Sequence, residues 1–194
     1  MIFEHTKSPL LRSVICMAFY CFSLTISAQQ LSEDQIKAAY LYNFIKHVDW
    51  PNEPQKADFT IAIYNDLRLY RLMAPTFSNR LVKEKPINFI SVNAPEDARA
   101  ADLVFVPSLS TIDLAELAAQ LRQTETLLVT DNSVDKHNVM INLVFNQSTS
   151  AISFEVNKSN IIFENLTLSP ELLLLGGTEL DVAQLYRETE LAMQ

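Results

Sequence analysis

The chain has 194 residues, 48% apolar and 20% charged, with a formal net charge of -8, a length that suits one domain and an apolar share that excludes wholesale disorder. Acidic residues outnumber basic ones 23 to 15, so the overall field opposes non-specific binding to nucleic acid or to anionic lipid. Gly176 and Gly177 are the only glycines, which excludes a glycine-rich phosphate loop of the Walker or Rossmann kind.

Lys7 and Arg12 precede an uncharged, largely apolar run from Ser13 to Ile26, and Ala28 then puts a small residue at a cleavage position. Residues 1–28 are expected to be a secretory signal peptide, with Gln29 opening the mature chain. The run falls short of the roughly 20 residues that span a bilayer as a helix, which favours a cleaved signal over an uncleaved anchor, and no second apolar stretch is long enough, so no membrane insertion is expected after cleavage. Cys16 and Cys21 both leave with the signal. The mature chain is therefore expected to hold no disulfide, no thiol nucleophile and no thiolate metal site.

Ser32 with Gln35 three residues on is a capping-box pattern, and Ile36, Tyr40, Leu41, Phe44, Ile45 and Val48 recur at helical spacing until Pro51. Strand and helix then alternate. Phe59 to Tyr64 reads as a strand, Leu67 to Phe77 as a helix that Pro75 shortens or breaks, and Ile87 to Val92 and Leu103 to Val106 as strands. Ser110 is expected to cap a helix carrying Leu114, Leu117, Ala118 and Leu121, and Thr126 to Thr130 reads as a further strand.

Short, continuously apolar strands separated by helices call for a parallel sheet covered on both faces. Met140 to Phe145 and Ile152 to Val156 alternate instead, around a polar turn, and read as an antiparallel hairpin closing one edge. Ser169-Pro170-Glu171 opens a short helix that Gly176 stops, and Leu180 to Met193 reads as a last helix. The fold class is α/β: a three-layer sandwich with a mainly parallel sheet, an antiparallel hairpin at one edge, and terminal helices. Residues 29–178 form the expected domain and 179–194 a C-terminal helical extension.

Catalytic chemistry has no signature. His47 and His137, the mature histidines, are far apart and outside any HExxH context, and no GxSxG elbow occurs. No catalytic residue, metal or cofactor is assigned. Ligands of open α/β sheets sit beyond the carboxyl ends of the strands. Those ends make Asp66, Ser108, Thr130 and Asp131 the ligand-binding candidates, although turns and helix caps have the same composition. Arg68, Arg71, Arg80, Lys83 and Lys85 form a basic cluster with only Glu84 against them, either a docking site for an acidic partner or a solvated face. Tyr40, Tyr42 and Phe44 cannot all point into one core, and Trp50 sits at the helix exit. Tyr42, Trp50, Arg68 and Arg71 are the partner-binding candidates.

Ile36 to Pro51, IKAAYLYNFIKHVDWP, resembles the opening segment of YfiR-like periplasmic proteins. LLVTDNS at 127–133, the hairpin region 139–157 and LTLSPELLLL at 166–175 resemble later family segments, in order. The resemblance implies a compact α/β domain acting in the periplasm as a non-enzymatic regulator. Its partner would be an inner-membrane signalling protein, in the best-understood members a diguanylate cyclase whose periplasmic sensor domain is contacted and whose cyclic di-GMP output is repressed, with effects on biofilm growth. Members often form homodimers. A small-ligand-binding protein serving another membrane receptor or sensor kinase is the alternative. Three departures stand out: no cysteines in the domain, His137-Asn138 where a glycine pair is usual, and the extension past Leu180.

Overall fold

The computed structural model describes residues 31–146, 148–149 and 151–184; the expected signal peptide and residues 185–193 of the expected last helix lie outside them. The first helix, α1 (Glu33–His47), carries the anticipated capping box: the Gln35 N–H donates to Ser32 Oγ at 3.3 Å and the Ser32 N–H to Gln35 Oε1 at 2.8 Å. Its buried stripe is Lys37, Ala38, Leu41, Phe44 and Ile45. Ile36 and Tyr40 are only partly buried against the core, so the buried face is rotated from the purely apolar one and takes in a lysine.

The strands are β1 (Val48–Asp49), β2 (Phe59–Tyr64), β3 (Leu81–Val82), β4 (Lys85–Val92), β5 (Leu103–Val106), β6 (Leu127–Asp131), β7 (Ile141–Asn146), β8 (Ala151–Val156), β9 (Thr167–Leu168) and β10 (Gly177–Glu179). Eight form one sheet in the order β10-β8-β7-β6-β5-β2-β4-β3. The run β4-β2-β5-β6-β7 is parallel throughout. β7 and β8 pair antiparallel, as the alternation predicts. The hairpin does not close the edge, however: β10 adds a parallel strand outside β8. A separate two-stranded ladder joins β1 to β9 antiparallel.

The remaining helices are α2 (Leu67–Phe77), α3 (Leu114–Gln120), α4 (Lys158–Phe163) and α5 (Pro170–Leu173). α1, α2 and α5 cover one face, and α3, α4 and a 3-10 turn at Pro95–Ala100 the other. Strand alternation sorts the core accordingly. Phe154 of β8 meets Tyr40 and Phe44 of α1, with ring centroids 5.6 and 5.1 Å away. Leu128 of β6 faces the α3–α4 side. The expected three-layer α/β sandwich is the observed one.

Local chemistry corrects the reading in two places. α2 runs through Pro75. Proline's missing N–H removes only the bond to the Arg71 carbonyl, and the next turn is held by the Ser78 N–H to the Ala74 carbonyl and the Thr76 hydroxyl to the Leu72 carbonyl. α3 is capped by Asp113, whose Oδ1 accepts from the Ala115 and Glu116 N–H groups; Ser110 Oγ accepts from Ile112 N in the preceding loop instead.

The two glycines have separate uses. Gly176 ends the α5 turn at φ 104°, a conformation that disfavours any side chain. A Cβ on Gly177 would lie 2.5 Å from the Phe154 ring, so only glycine lets β10 lie against β8. The ladder runs on to Glu179, one residue beyond the expected domain edge. Residues 182–184 then begin a helix, with Asp181 Oδ1 accepting from Gln184 N at 3.1 Å.

Candidate functional site

The parallel strands are wound outwards from β2: the chain goes next to β4 on one side, then crosses to β5, β6 and β7 on the other. β2 and β5 are therefore neighbours whose outgoing connections diverge, and a crevice opens beyond their carboxyl ends, as at any such switch point. Two adjoining clefts occupy that end. The larger, about 630 Å³, is lined by Asp34, Lys37, Asp66, Arg68, Ser108 and Asp131, among others. The smaller, about 400 Å³, lies on the α3 side and includes Ser108, Asp113, Thr130, Asp131 and Ser133.

Three of the four ligand-binding candidates thus converge on the larger cleft, and Ser108, Thr130 and Asp131 share the smaller one. Asp66 is the N-cap of α2, its Oδ1 accepting from the Leu69 N–H at 2.9 Å. Ser108 is exposed between the clefts. Thr130 is buried and donates its hydroxyl to Asn142 Oδ1 at 2.9 Å. That amide also accepts from the Ser133 N–H and donates to Glu155, which pairs with Lys136.

Asp131 is 2% exposed and holds the floor of the rim. It takes a 2.5 Å bond from Lys37 Nζ, which also reaches Glu33 Oε1 one turn back on α1 at 2.5 Å, and a second bond from Asn132 Nδ2. Burial alone would lower the Lys37 pKa; the hydrogen bonds to Asp131 and Glu33 outweigh it and raise the ammonium above its ordinary value. This pair ties the start of α1 to the end of β6. Lys37 and Asn142 are the residues that sequence reasoning missed. For Lys37 a signal existed, since it lies four residues before Leu41 on the buried stripe. For Asn142, an amide inside the apolar run of β7, the partner Thr130 is set only by the register of two strands.

The partner-binding candidates separate. Arg68 is exposed at the rim and bonded to Asp34 at 3.0 Å. Arg71, one turn further along α2, is exposed and has no hydrogen bond or ion pair among the described residues. The rest of the basic cluster is engaged. Lys83 bonds the Val48 carbonyl, Asp49 and Glu53; Lys85 bonds the Lys56 carbonyl; Arg80 lies over the rings of Tyr42 and Phe77. Tyr42 is half-buried, stacked on Phe77 with centroids 5.2 Å apart. Trp50 is 3% exposed; its Nε1 donates to the Glu125 carbonyl at 2.8 Å and its ring packs on Phe59. In this conformation Trp50 is a core residue and offers no face to a partner.

The rim also presents apolar groups. Leu109 and Val134, 93% and 96% exposed, stand on the loops after β5 and β6, and half-exposed Leu67 opens α2 beside them. Isolated exposed leucines are ordinary. Several at one end of the sheet, bordering two clefts, form a surface suited to association. No cluster of three or more His, Cys, Asp or Glu placed to hold a metal occurs among the described residues, and no helix there is long and apolar enough to cross a membrane.

The family-like segments of the sequence are the ones that build this frame. Lys37 reaches Asp131 of the LLVTDNS strand. Tyr40 donates its hydroxyl to the Ile152 carbonyl of the hairpin and lies 3.0 Å from the Leu175 carbonyl after α5. A family model described as YfiR/HmsC-like matches residues 34–177. The chain belongs to that family. It is a family of periplasmic regulators of diguanylate cyclase signalling, regulatory rather than catalytic. Comparison with curated proteins gave no match.

The turn before β7 of this YfiR/HmsC-like chain is held by a side-chain cap. At His137-Asn138, Asp135 secures the turn, its Oδ1 accepting from both backbone N–H groups at 3.0 and 3.1 Å.

Proposed function

We propose that this protein, exported by cleavage after Ala28, binds the periplasmic sensor domain of an inner-membrane diguanylate cyclase and represses it, lowering cyclic di-GMP and favouring dispersed growth over biofilm. Residues 29–178 carry this activity and 179–194 extend it. Family membership supports the class of partner. The observation that carries the choice of surface is the near-complete exposure of Leu109 and Val134 on the two loops crowning the carboxyl rim. Arg68 and Arg71, on the α2 face that leads away from the rim, extend this surface with two exposed cations. A partner matching it would present apolar side chains ringed by mixed charge.

The test is a pull-down from membranes with the mature chain as bait, alongside Leu109→Glu/Val134→Glu. Wild type should retain a membrane protein with a cytoplasmic cyclase domain, and the double variant should lose it while folding normally. Equal capture by both would move the interface elsewhere. Unchanged cyclic di-GMP on deleting the gene would dismiss the cyclase as partner.

A second reading has its own observation. Asp66, Ser108 and Asp131 line one cleft of about 630 Å³ at a topological switch point, where small ligands of open α/β sheets bind. Here the protein would carry a small ligand to another membrane receptor or sensor kinase. Capture that depends on a dialysable factor would favour this reading.

A further inference from the structure

The short helix α4 turns one apolar residue inward and two outward. Ile161 is buried in the core, whereas Ile162 and Phe163 are 68% and 55% exposed. Arg122, exposed at the end of α3, lies over the Phe163 ring, 5.3 Å from its centroid. Its guanidinium makes no hydrogen bond or ion pair among the described residues. The outer face of α4 is therefore an apolar pair beside a cation with no charge partner, a patch suited to being covered by apolar side chains and a carboxylate.

The course of the chain after the domain points to what covers it. β10 runs from Gly177, opposite Phe154, to Glu179, opposite Val156. It thus leads away from exposed Leu174 and Leu175 and towards the corner where β8 passes into α4. Two contacts fix it at that corner. The Leu180 N–H donates to the Val156 carbonyl at 2.8 Å, and Glu179 pairs at 2.5 Å with Lys158, the first residue of α4. A helix then starts at Val182, and residues 185–194, LYRETELAMQ, follow in the sequence. Val182, Leu185, Tyr186 and Met193 recur at helical spacing, with Glu190 flanking their stripe. Gln184 to Glu190 would span about 9 Å of helix, and Lys158 to Phe163 spans about 7.5 Å. A helix continued from Val182 along α4 would bring Glu190 level with Phe163 and Arg122.

We propose that the outer face of α4 is the docking site for residues 185–194 of the same chain. The stripe of Leu185, Tyr186 and Met193 covers Ile162 and Phe163, and Glu190 supplies the carboxylate for Arg122. This gives the C-terminal extension a role within its own molecule, and it does not depend on the partner proposed at the carboxyl rim.

The test takes the mature chain, with hydrogen exchange of the Ile162 and Phe163 amides as the first readout. They should exchange at least about tenfold faster in a chain stopped after Gln184, which keeps β10, than in the full chain. Arg122→Glu should speed them as well, and combining it with Glu190→Arg should restore the protection. A nitroxide on Ala192→Cys gives the location: it should broaden the Ile162 methyl resonances more than those of Leu174. The effect should stay within one molecule, so isotope-labelled chain without the nitroxide should remain sharp when mixed with nitroxide-bearing chain. Broadening in that mixture would give the patch to a second copy, and broadening centred on Leu174 would place the segment beside α1. Either result would overturn the proposal. So would equal exchange in the full and shortened chains, or a charge swap that restores nothing.

Discussion

The two ends of the sheet are built from the same strands and behave as different materials. At the amino end the strand entrances are tied by hydrogen bonds and an ion pair. Trp50 is bonded to the Glu125 carbonyl, Lys56 pairs with Asp102 at 2.5 Å, the other Asp102 oxygen accepts from the Thr60 N–H, and Thr126 bonds the Ala101 carbonyl. The β1–β9 ladder is anchored there as well, through the Ser169 N–H to the His47 carbonyl. At the carboxyl end the strands stop at clefts, and Leu109 and Val134 stand in solvent. Both ends hold buried polar pairs, but clefts and exposed apolar loops mark the carboxyl end, a division an open α/β sheet permits because its loops can vary without disturbing the core.

The sharpest way to break this comparison is at Trp50. Trp50→Ala removes a buried ring and leaves the Glu125 carbonyl without its donor, and should cost about 3–5 kcal/mol of folding stability. Denaturant unfolding measures it. If stability hardly changes while partner affinity collapses, the amino end is a binding surface and the contrast fails.

Lys37 tests whether the carboxyl end has a rigid floor. Lys37→Ala strands the buried Asp131 carboxylate and should cost about 3 kcal/mol. The double variant with Asp131→Asn should recover part of that loss. The same ion pair sets a pH dependence. Lys37 has its folded pKa raised above 10.5, and burial raises that of Tyr40 above 10.0. Both groups therefore hold protons more tightly folded than unfolded. The stability this contributes is fully present below about pH 10 and is lost as pH rises through the folded values. Thermal midpoints should fall above that pH, and Tyr40→Phe should lessen the fall.

Tyr42 lies between the extremes. Stacked on Phe77 beneath Arg80, it should lose about 1–2 kcal/mol of stability on change to alanine, more than a free surface residue would. A loss below about 0.5 kcal/mol would return it to the candidates for partner contact.

The smallest effect on folding belongs to the rim. Leu109→Ser and Val134→Ser should each change stability by less than about 0.5 kcal/mol, yet weaken partner binding about tenfold, or 1.4 kcal/mol. Surface plasmon resonance against the captured partner measures the second quantity. A rim substitution that destabilises the fold would show these loops to be structural.

Much of this molecule could be read from local pattern. The capping box at Ser32, the bounds of β2 and β5, the hairpin of β7 and β8 and the stop at Gly176 each follow from a residue's own chemistry or from a period of two or 3.6. Those signals act over a few residues, so the sequence carries them whole. The tertiary structure alone decided the rest. Short segments such as β1, β9 and β10 have too few residues to show a period and exist because a partner strand satisfies their backbone groups. Whether Trp50 was an anchor or a core residue depended on the Glu125 carbonyl, 75 positions away. The floor of the rim depended on Lys37 meeting Asp131 across 94 positions. Sequence determines which groups must find partners when buried; only the packed chain determines which partners they find, because that choice is made by contacts between residues that sequence does not place side by side.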